Sequence, residues 1–305
     1  MKILIATDKP FAKVAVDGIR NVIEEAGYQL ALLEKYTSKQ QLLEAVADAG
    51  AIIIRSDIID NEVFEAAKQL KVVVRAGAGY DNVDLDAATA HDVAVMNTPG
   101  QNANAVAELV LGLLVFAVRN SYNGTSGTEL KGKTIGIHAY GNVGRNVARI
   151  AKGFGMEVYA YDAFCPKEVI EADGTVALSS VEELYKKSDI ISLNIPATPE
   201  TKQSINYNLL SLMPTGGILV NSARKEVINE PEVIRFMAEH PAFKYITDIA
   251  PDDRAKFEAF EGRYFSTPKK MGAQTAEANI NAGIAAAEQI VAYFREGCEK
   301  FRVNK

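Results

Sequence analysis

Short apolar runs alternate with stretches of helical period from one end of this sequence to the other. Lys2–Ala6, Ala51–Ile54, Val72–Val74 and Val93–Met96 form one set of runs. Thr134–His138, Glu157–Tyr161, Asp189–Leu193, Gly217–Val220 and Lys244–Thr247 form another. A run that is apolar at every position, without alternation, suits a strand buried on both faces, and helices between such strands cover a parallel sheet. Two sets in a chain of 305 residues exceed one ordinary core. They predict an α/β protein of two doubly wound parallel-sheet domains, Rossmann-like, with an interdomain cleft. The alanine-rich helical segment from Thr275 to about Phe301 has no strand after it and is expected to fold back on the first domain. The expected division is residues 1–94 plus 276–305 for a discontinuous substrate-binding domain and residues 95–275 for a dinucleotide-binding domain.

Between the two sets, Ala103 to Val118 is apolar almost throughout, interrupted by the charge of Glu108. It is shorter than the roughly 20 residues that a bilayer demands. A helix apolar on nearly every side needs walls all round, so a homodimer interface is expected to supply one. The formal net charge of -6 leaves no basic run to neutralise phosphates, which argues against a nucleic-acid partner. Anionic small substrates need only a few local cations and stay open. Two distant cysteines, Cys165 and Cys298, suggest neither a disulfide framework nor a metal site. The first apolar run reads as a strand, not a signal peptide, and a cytoplasmic setting is the default.

The run Thr134–His138 leads into Ala139-Tyr140-Gly141-Asn142-Val143-Gly144, after which Val143, Val147, Ile150, Ala151 and Phe154 recur at helical spacing. The next run ends at Asp162. This is the order a dinucleotide site requires: a tight turn, a helix N-terminus facing pyrophosphate, and an acid for the ribose hydroxyls. Tyr140, Gly141, Asn142, Val143 and Gly144 make the turn, and Asp162 the acid. No arginine adjoins Asp162 in sequence to hold a 2′-phosphate, so NAD is favoured over NADP. Ala139 occupies the place of the first glycine, which a turn tolerates if that residue keeps a negative φ. His138 reads as a buried, hydrogen-bonded strand residue.

Further segments point the same way. Arg75-Ala76-Gly77-Ala78-Gly79-Tyr80-Asp81-Asn82-Val83-Asp84, Asn97-Thr98-Pro99 with Asn102, the fingerprint, Ile195-Pro196-Ala197-Thr198-Pro199-Glu200-Thr201, Asn221-Ser222-Ala223-Arg224 and Thr267-Pro268 occur in this order. Together they resemble the D-isomer-specific 2-hydroxyacid dehydrogenases over nearly the full chain. The likeness is strongest to short D-3-phosphoglycerate dehydrogenases, some of which carry lysine where the family has its catalytic histidine.

That resemblance implies residue roles. Arg224 matches the substrate arginine, whose planar fork suits a carboxylate. Gly77 and Ala78 lie in the turn that offers backbone N–H groups to the same carboxylate, and Asn102 matches an asparagine near the substrate. Arg55 and Ser56 resemble the pair near a substrate phosphate, with an ion pair between Arg55 and Asp57 as the plain alternative. Asp248 matches an aspartate near the nicotinamide; Pro196, Thr198, Ser222 and Ala223 match loops that line the cofactor. The catalytic acid position holds Asp253, one methylene shorter than the family's glutamate, with Asp252 as a neighbouring alternative.

The histidine expected after Thr267-Pro268 is replaced by Lys269 and Lys270, and no histidine follows His240. One of these lysines is expected to be the base, Lys269 by its place and Lys270 if one residue intervenes, with Asp253 as partner. Adjacent residues of an extended segment face opposite ways, so one of the two reaches the substrate. The implied reaction is NAD-dependent oxidation of 3-phospho-D-glycerate to 3-phosphohydroxypyruvate, the entry to serine biosynthesis. The rival within the family acts on glyoxylate, hydroxypyruvate or another 2-oxo acid. A rival of another class is a non-catalytic NAD-binding regulatory protein.

Overall fold

The computed structural model describes residues 1–304. They form two compact units, one of Met1–Asn102 with the segment from Gln274 onward, the other of Ala103–Ala273.

The first unit holds five parallel strands: β1 (Lys2–Thr7), β2 (Gln29–Glu34), β3 (Ala49–Ile54), β4 (Val72–Arg75) and β5 (Ala94–Asn97). Their order is β2-β1-β3-β4-β5. Every residue of β3 is buried, as its unbroken apolar run requires of a central strand. On one face Ile3, Ile5, Ile53, Val72 and Val74 pack against Ile19 and Ile23 of the Lys13–Glu25 helix and Ala282, Ala286 and Ile290 of the Ala276–Glu296 helix. Residues 95–102, expected to open the second domain, belong here because β5 pairs with β4 in register from Val72↔Ala94 to Arg75↔Asn97. Gln274 and Thr275 also fall in this unit, and Thr275 caps the Ala276–Glu296 helix through the Ala278 N–H.

The second unit holds β6 (Thr134–His138), β7 (Glu157–Tyr161), β8 (Val176–Ala177), β9 (Ile190–Leu193), β10 (Ile218–Asn221), β11 (Lys244–Thr247) and β12 (Tyr264–Ser266). Their order, β12-β11-β10-β9-β6-β7-β8, reverses between β6 and β9. Open parallel sheets place ligands outside the carboxyl ends of the strands at such a reversal. In the first unit the corresponding reversal lies between β1 and β3.

The Ala103–Val118 helix finds most of its walls inside its own unit. Val106, Ala107, Val110, Leu111, Leu113, Leu114, Ala117 and Val118 are buried, largely in the core shared with Val147, Ala148 and Ala151 of the Asn142–Gly153 helix. Its exposed strip is Asn104, Glu108 and Gly112, flanked by the partly buried Leu109, Val115 and Phe116. The apolar surface that suggested a dimer is therefore mostly consumed within the protomer. Lys244 Nζ donates to the Ala117 carbonyl at 2.7 Å, where the helix leaves its last carbonyls unpaired and a cation suits its dipole. Among the described residues no helix is long and apolar enough to cross a membrane.

Candidate active site

At the reversal of the second unit, β6 ends at His138 and the turn Ala139–Gly141 leads into the Asn142–Gly153 helix. Gly141 caps that helix without a side-chain hydrogen bond, so its first N–H groups are available to an anion. A Cβ on Gly144 would stand 2.3 Å from the Ala139 carbonyl oxygen, which makes glycine obligatory there. Ala139 departs from the sequence expectation: its φ is 77°, the left-handed region that costs an L-residue roughly 1 kcal/mol. Two contacts hold it there. Its N–H donates to the Tyr161 carbonyl at 2.9 Å, and it packs beside the core containing Leu184 and Tyr185.

The Asp162 carboxylate accepts from the backbone N–H groups of Tyr140, Phe164 and Cys165 at 2.6, 2.7 and 2.8 Å. It is only partly buried, and each oxygen keeps lone-pair capacity for a ribose hydroxyl. Turn, open helix terminus and fixed acid together fit a dinucleotide. Two details differ from the sequence reading. The Tyr140 side chain is core, 1% exposed, with its hydroxyl near Thr175 and Asp173 at 3.0 and 3.2 Å, so only its backbone belongs to the turn. Arg145, which sequence adjacency did not suggest, lies over the Tyr140 ring and brings Nη2 to 3.8 Å from Cys165 Sγ, in the loop after Asp162. Beneath the turn, His138 lies 3.4 Å from the Tyr185 hydroxyl, and burial lowers its pKa to about 4 against the opposing charge of Asp162.

The loop after β9 is self-braced: the Thr201 hydroxyl donates to the Pro196 carbonyl at 2.6 Å, and the Thr198 N–H donates to the Thr201 hydroxyl at 2.8 Å. The loop after β10 is closed by Asn221, whose side chain accepts from the Ala223 N–H and donates to the Arg224 carbonyl, both at 2.9 Å. Ser222 is buried within this turn. Arg224 is exposed, and no carboxylate among the described residues lies within ion-pair distance of it. Its Nη1 donates to the Ala223 carbonyl at 2.9 Å, and Lys270 Nζ reaches the same oxygen at 3.4 Å.

Of the two candidate lysines, Lys270, the alternative to the preferred Lys269, is the one that meets Arg224 at this carbonyl. The expected partner also differs. Asp253 pairs with Lys256 at 2.9 Å and donates its backbone N–H to the Glu230 carboxylate, while Asp252 pairs with Lys225. Asp248, expected near the nicotinamide, is 0% exposed. Its carboxylate accepts from the Thr267 hydroxyl and from the Met271 and Gly272 N–H groups.

In the first unit Arg55 follows β3 at the reversal. Its guanidinium donates to the Lys9 and Pro10 carbonyls and to Asn279 Oδ1, at 3.1, 3.4 and 2.6 Å, and lies 5.2 Å from the Phe11 ring centroid. The anticipated alternative, an ion pair with Asp57, is not what forms: Asp57 accepts from the Arg55 backbone N–H at 3.3 Å, from Asp8 N–H and from Tyr36. Arg75, which the sequence reading did not single out, ends β4 opposite Ile54 in register and donates through Nε to the Arg55 carbonyl at 3.0 Å. Burial and the nearby Arg55 charge both lower its pKa. The signal was available, since Arg75 follows its apolar run just as Arg55 does. A Cβ on Gly77 would fall 1.5 Å from Arg75 Nη1, and the Gly77 and Ala78 carbonyls are tied to Thr98 and Asn97. Ser56 is exposed and Asn102 partly so.

Residues 115–262 match the model of the D-isomer specific 2-hydroxyacid dehydrogenase NAD binding domain. Among solved structures, the chain is similar to the NAD+-bound 3-phosphoglycerate dehydrogenase of Entamoeba histolytica, with 46% identity and a TM-score of 0.86 over 100% of this chain and 99% of that one. It is 36% identical over 269 residues to the D-3-phosphoglycerate dehydrogenase of Methanocaldococcus jannaschii, covering 83% of this chain and 51% of that protein. The chain thus spans about half the length of that relative. It is 32% identical over 280 residues to the hydroxypyruvate reductase of Thermotoga maritima, covering 86% of this chain and 90% of the reductase.

Proposed function

We propose that this chain, which belongs to the D-isomer-specific 2-hydroxyacid dehydrogenase family, oxidises 3-phospho-D-glycerate to the corresponding 2-oxo acid with NAD. One observation carries the choice of a phosphorylated substrate. Arg55 follows β3 at the first unit's reversal, Arg75 ends the adjacent β4, and neither has a carboxylate within ion-pair distance among the described residues. Two half-buried cations side by side, with no ion-paired carboxylate, are stabilised by an anion that completes them. We assign the phosphate to these two arginines and the carboxylate to Arg224, with Gly77, Ala78, Asn102 and Ser56 as supporting contacts.

Arg224 holds the carboxylate through its planar fork and draws charge toward the C2 oxygen. Lys270, at the same carbonyl, accepts the proton of the C2 hydroxyl as the C=O bond forms, and returns it to that oxygen in the reverse direction. Asp162 and the open terminus at Gly141 orient the dinucleotide. Bound NAD supplies the acceptor for the hydrogen that leaves C2 with its electron pair.

The likeness to the Thermotoga maritima reductase over 90% of its length favours a second reading, reduction of hydroxypyruvate or glyoxylate. NAD reduction by the purified protein against phosphorylated and unphosphorylated D-2-hydroxy acids separates the two. Activity confined to unphosphorylated acids overturns the phosphoglycerate reading, and NAD binding without turnover of any acid overturns the enzyme reading.

A further inference from the structure

The turn that leaves β3 carries a buried carboxylate that the reaction above does not use. Asp57 is 4% exposed. Its Oδ1 accepts the Asp8 N–H at 2.8 Å and the Tyr36 hydroxyl at 2.6 Å, and its Oδ2 accepts the Arg55 N–H at 3.3 Å. All three groups are donors, which suits an ionised acid and does not suit an amide. Burial and the Asp57 carboxylate both push the Tyr36 phenol above its ordinary range, so the proton stays on the phenol. The three donors stand at the exits of β1, β2 and β3, which are neighbours in the sheet. One carboxylate therefore ties together the carboxyl ends of three strands.

Two of those ties converge on Arg55. The β1 exit loop that Asp8 anchors presents the Lys9 and Pro10 carbonyls to Arg55 Nη1, at 3.1 and 3.4 Å. The Thr7 hydroxyl donates to the same Lys9 carbonyl at 2.8 Å. The Arg55 carbonyl in turn accepts Arg75 Nε at 3.0 Å. Asn82 Nδ2 donates to the Asp57 carbonyl at 2.6 Å and lies 3.4 Å from the Arg55 carbonyl, so the turn keeps those anchors without the carboxylate. We infer that Asp57, with Tyr36, is a positioning residue for the anion grip of the first unit. It holds Arg55 by the backbone N–H at one end and, through the β1 exit loop, by the guanidinium at the other. The inference rests on the assignment of the substrate phosphate to Arg55 and Arg75. A carboxylate near a cation can also serve as its counter-charge, and the two roles predict opposite signs. A counter-charge competes with the phosphate, so its removal tightens substrate binding; removal of a positioning group loosens it.

The test is Asp57→Asn in the full chain, with Tyr36→Phe as a second variant that keeps the charge and removes one tie. Hydrogen exchange at the Asp8 and Arg55 amides is expected to accelerate about tenfold or more in Asp57→Asn. Its KM for 3-phospho-D-glycerate is expected to rise about tenfold, the scale of one charge-assisted hydrogen bond. Its kcat should stay within about threefold of the parent protein's, because the lysine and Arg224 are untouched. Tyr36→Phe should raise KM less, in the same direction, and it carries the test if Asp57→Asn does not fold. A fall in KM overturns the proposal in favour of a counter-charge. An unchanged KM beside a lowered melting temperature also overturns it, because that marks ties serving stability alone. So does unchanged exchange at both amides. A parent protein that turns over only unphosphorylated acids overturns the phosphate assignment and, with it, the role given to Asp57. The exchange rates need no substrate, so a failure of the ties and a failure of that assignment are read apart.

Discussion

Arg224 and Lys270 donate to one acceptor, the Ala223 carbonyl oxygen, at 2.9 and 3.4 Å. Forty-six residues apart in sequence, one cation is set by the Asn221 turn and the other by the segment that Asp248 brackets. Lys270→Ala is therefore expected to lower kcat by roughly 100- to 10,000-fold, with NAD binding kept. Lys269→Ala should leave turnover within a few-fold. Steady-state kinetics on both variants decides the matter, and the opposite ranking returns the base to Lys269.

The two arginines of the first unit predict a substrate-specific defect. Arg75→Ala should raise KM for 3-phospho-D-glycerate by roughly ten- to a hundredfold, the scale of a lost charge-assisted pair. Any activity on unphosphorylated D-2-hydroxy acids should change little. Equal losses on both substrate types would mean that Arg75 supports the Gly77 turn instead of a phosphate.

Cofactor choice is expected to depend on two residues that the fold brings near each other. Asp162→Ala should weaken NAD binding and narrow the gap to NADP, because it removes the carboxylate that repels a 2′-phosphate and leaves Arg145 close by. Adding Arg145→Ala to that variant should reverse the gain for NADP. Titration of both cofactors by fluorescence provides the comparison, and a gain that survives the second substitution excludes Arg145.

His138 should make stability depend on acidity. Burial holds its pKa at about 4 in the folded protein, against about 6.5 in the unfolded chain. A depressed pKa gives stability that is complete above about pH 6.5 and is lost as pH falls toward about 4, amounting to roughly 3 kcal/mol. His138→Phe should flatten urea midpoints across that window. A parent protein whose midpoints do not fall there would refute the assignment.

The legible parts of the fold were those buried on two faces. β6, β11 and the Ala103–Val118 helix carry the bounds that their apolar runs predict, and so does β7, although only its alternate residues Val158 and Ala160 are buried. The three strands absent from the sequence reading, β2, β8 and β12, are edge strands. β2 has one fully buried residue and β8 and β12 none, so no apolar run announces them. The site divides in a similar way. Arg224 and Asp162 declare themselves by standing at strand ends inside local motifs. The bonds that tie Asp248 to Thr267, Met271 and Gly272 span 19 to 24 residues, and sequence periodicity carries no record of such a contact. The contact that separates Lys270 from Lys269 is with the Ala223 carbonyl, 47 residues away, which no local pattern records.

The helix Ala276–Glu296 covers one face of the first unit's sheet, yet it is translated only after the whole second unit. Until it emerges, Ile3, Ile5, Ile53, Val72 and Val74 lack the cover of Ala282, Ala286 and Ile290. On the ribosome the N-terminal unit therefore waits with an open apolar face while its neighbour can already fold. That order of synthesis keeps apolar surface of the nascent first sheet exposed while the second unit is made, the condition under which folding intermediates aggregate.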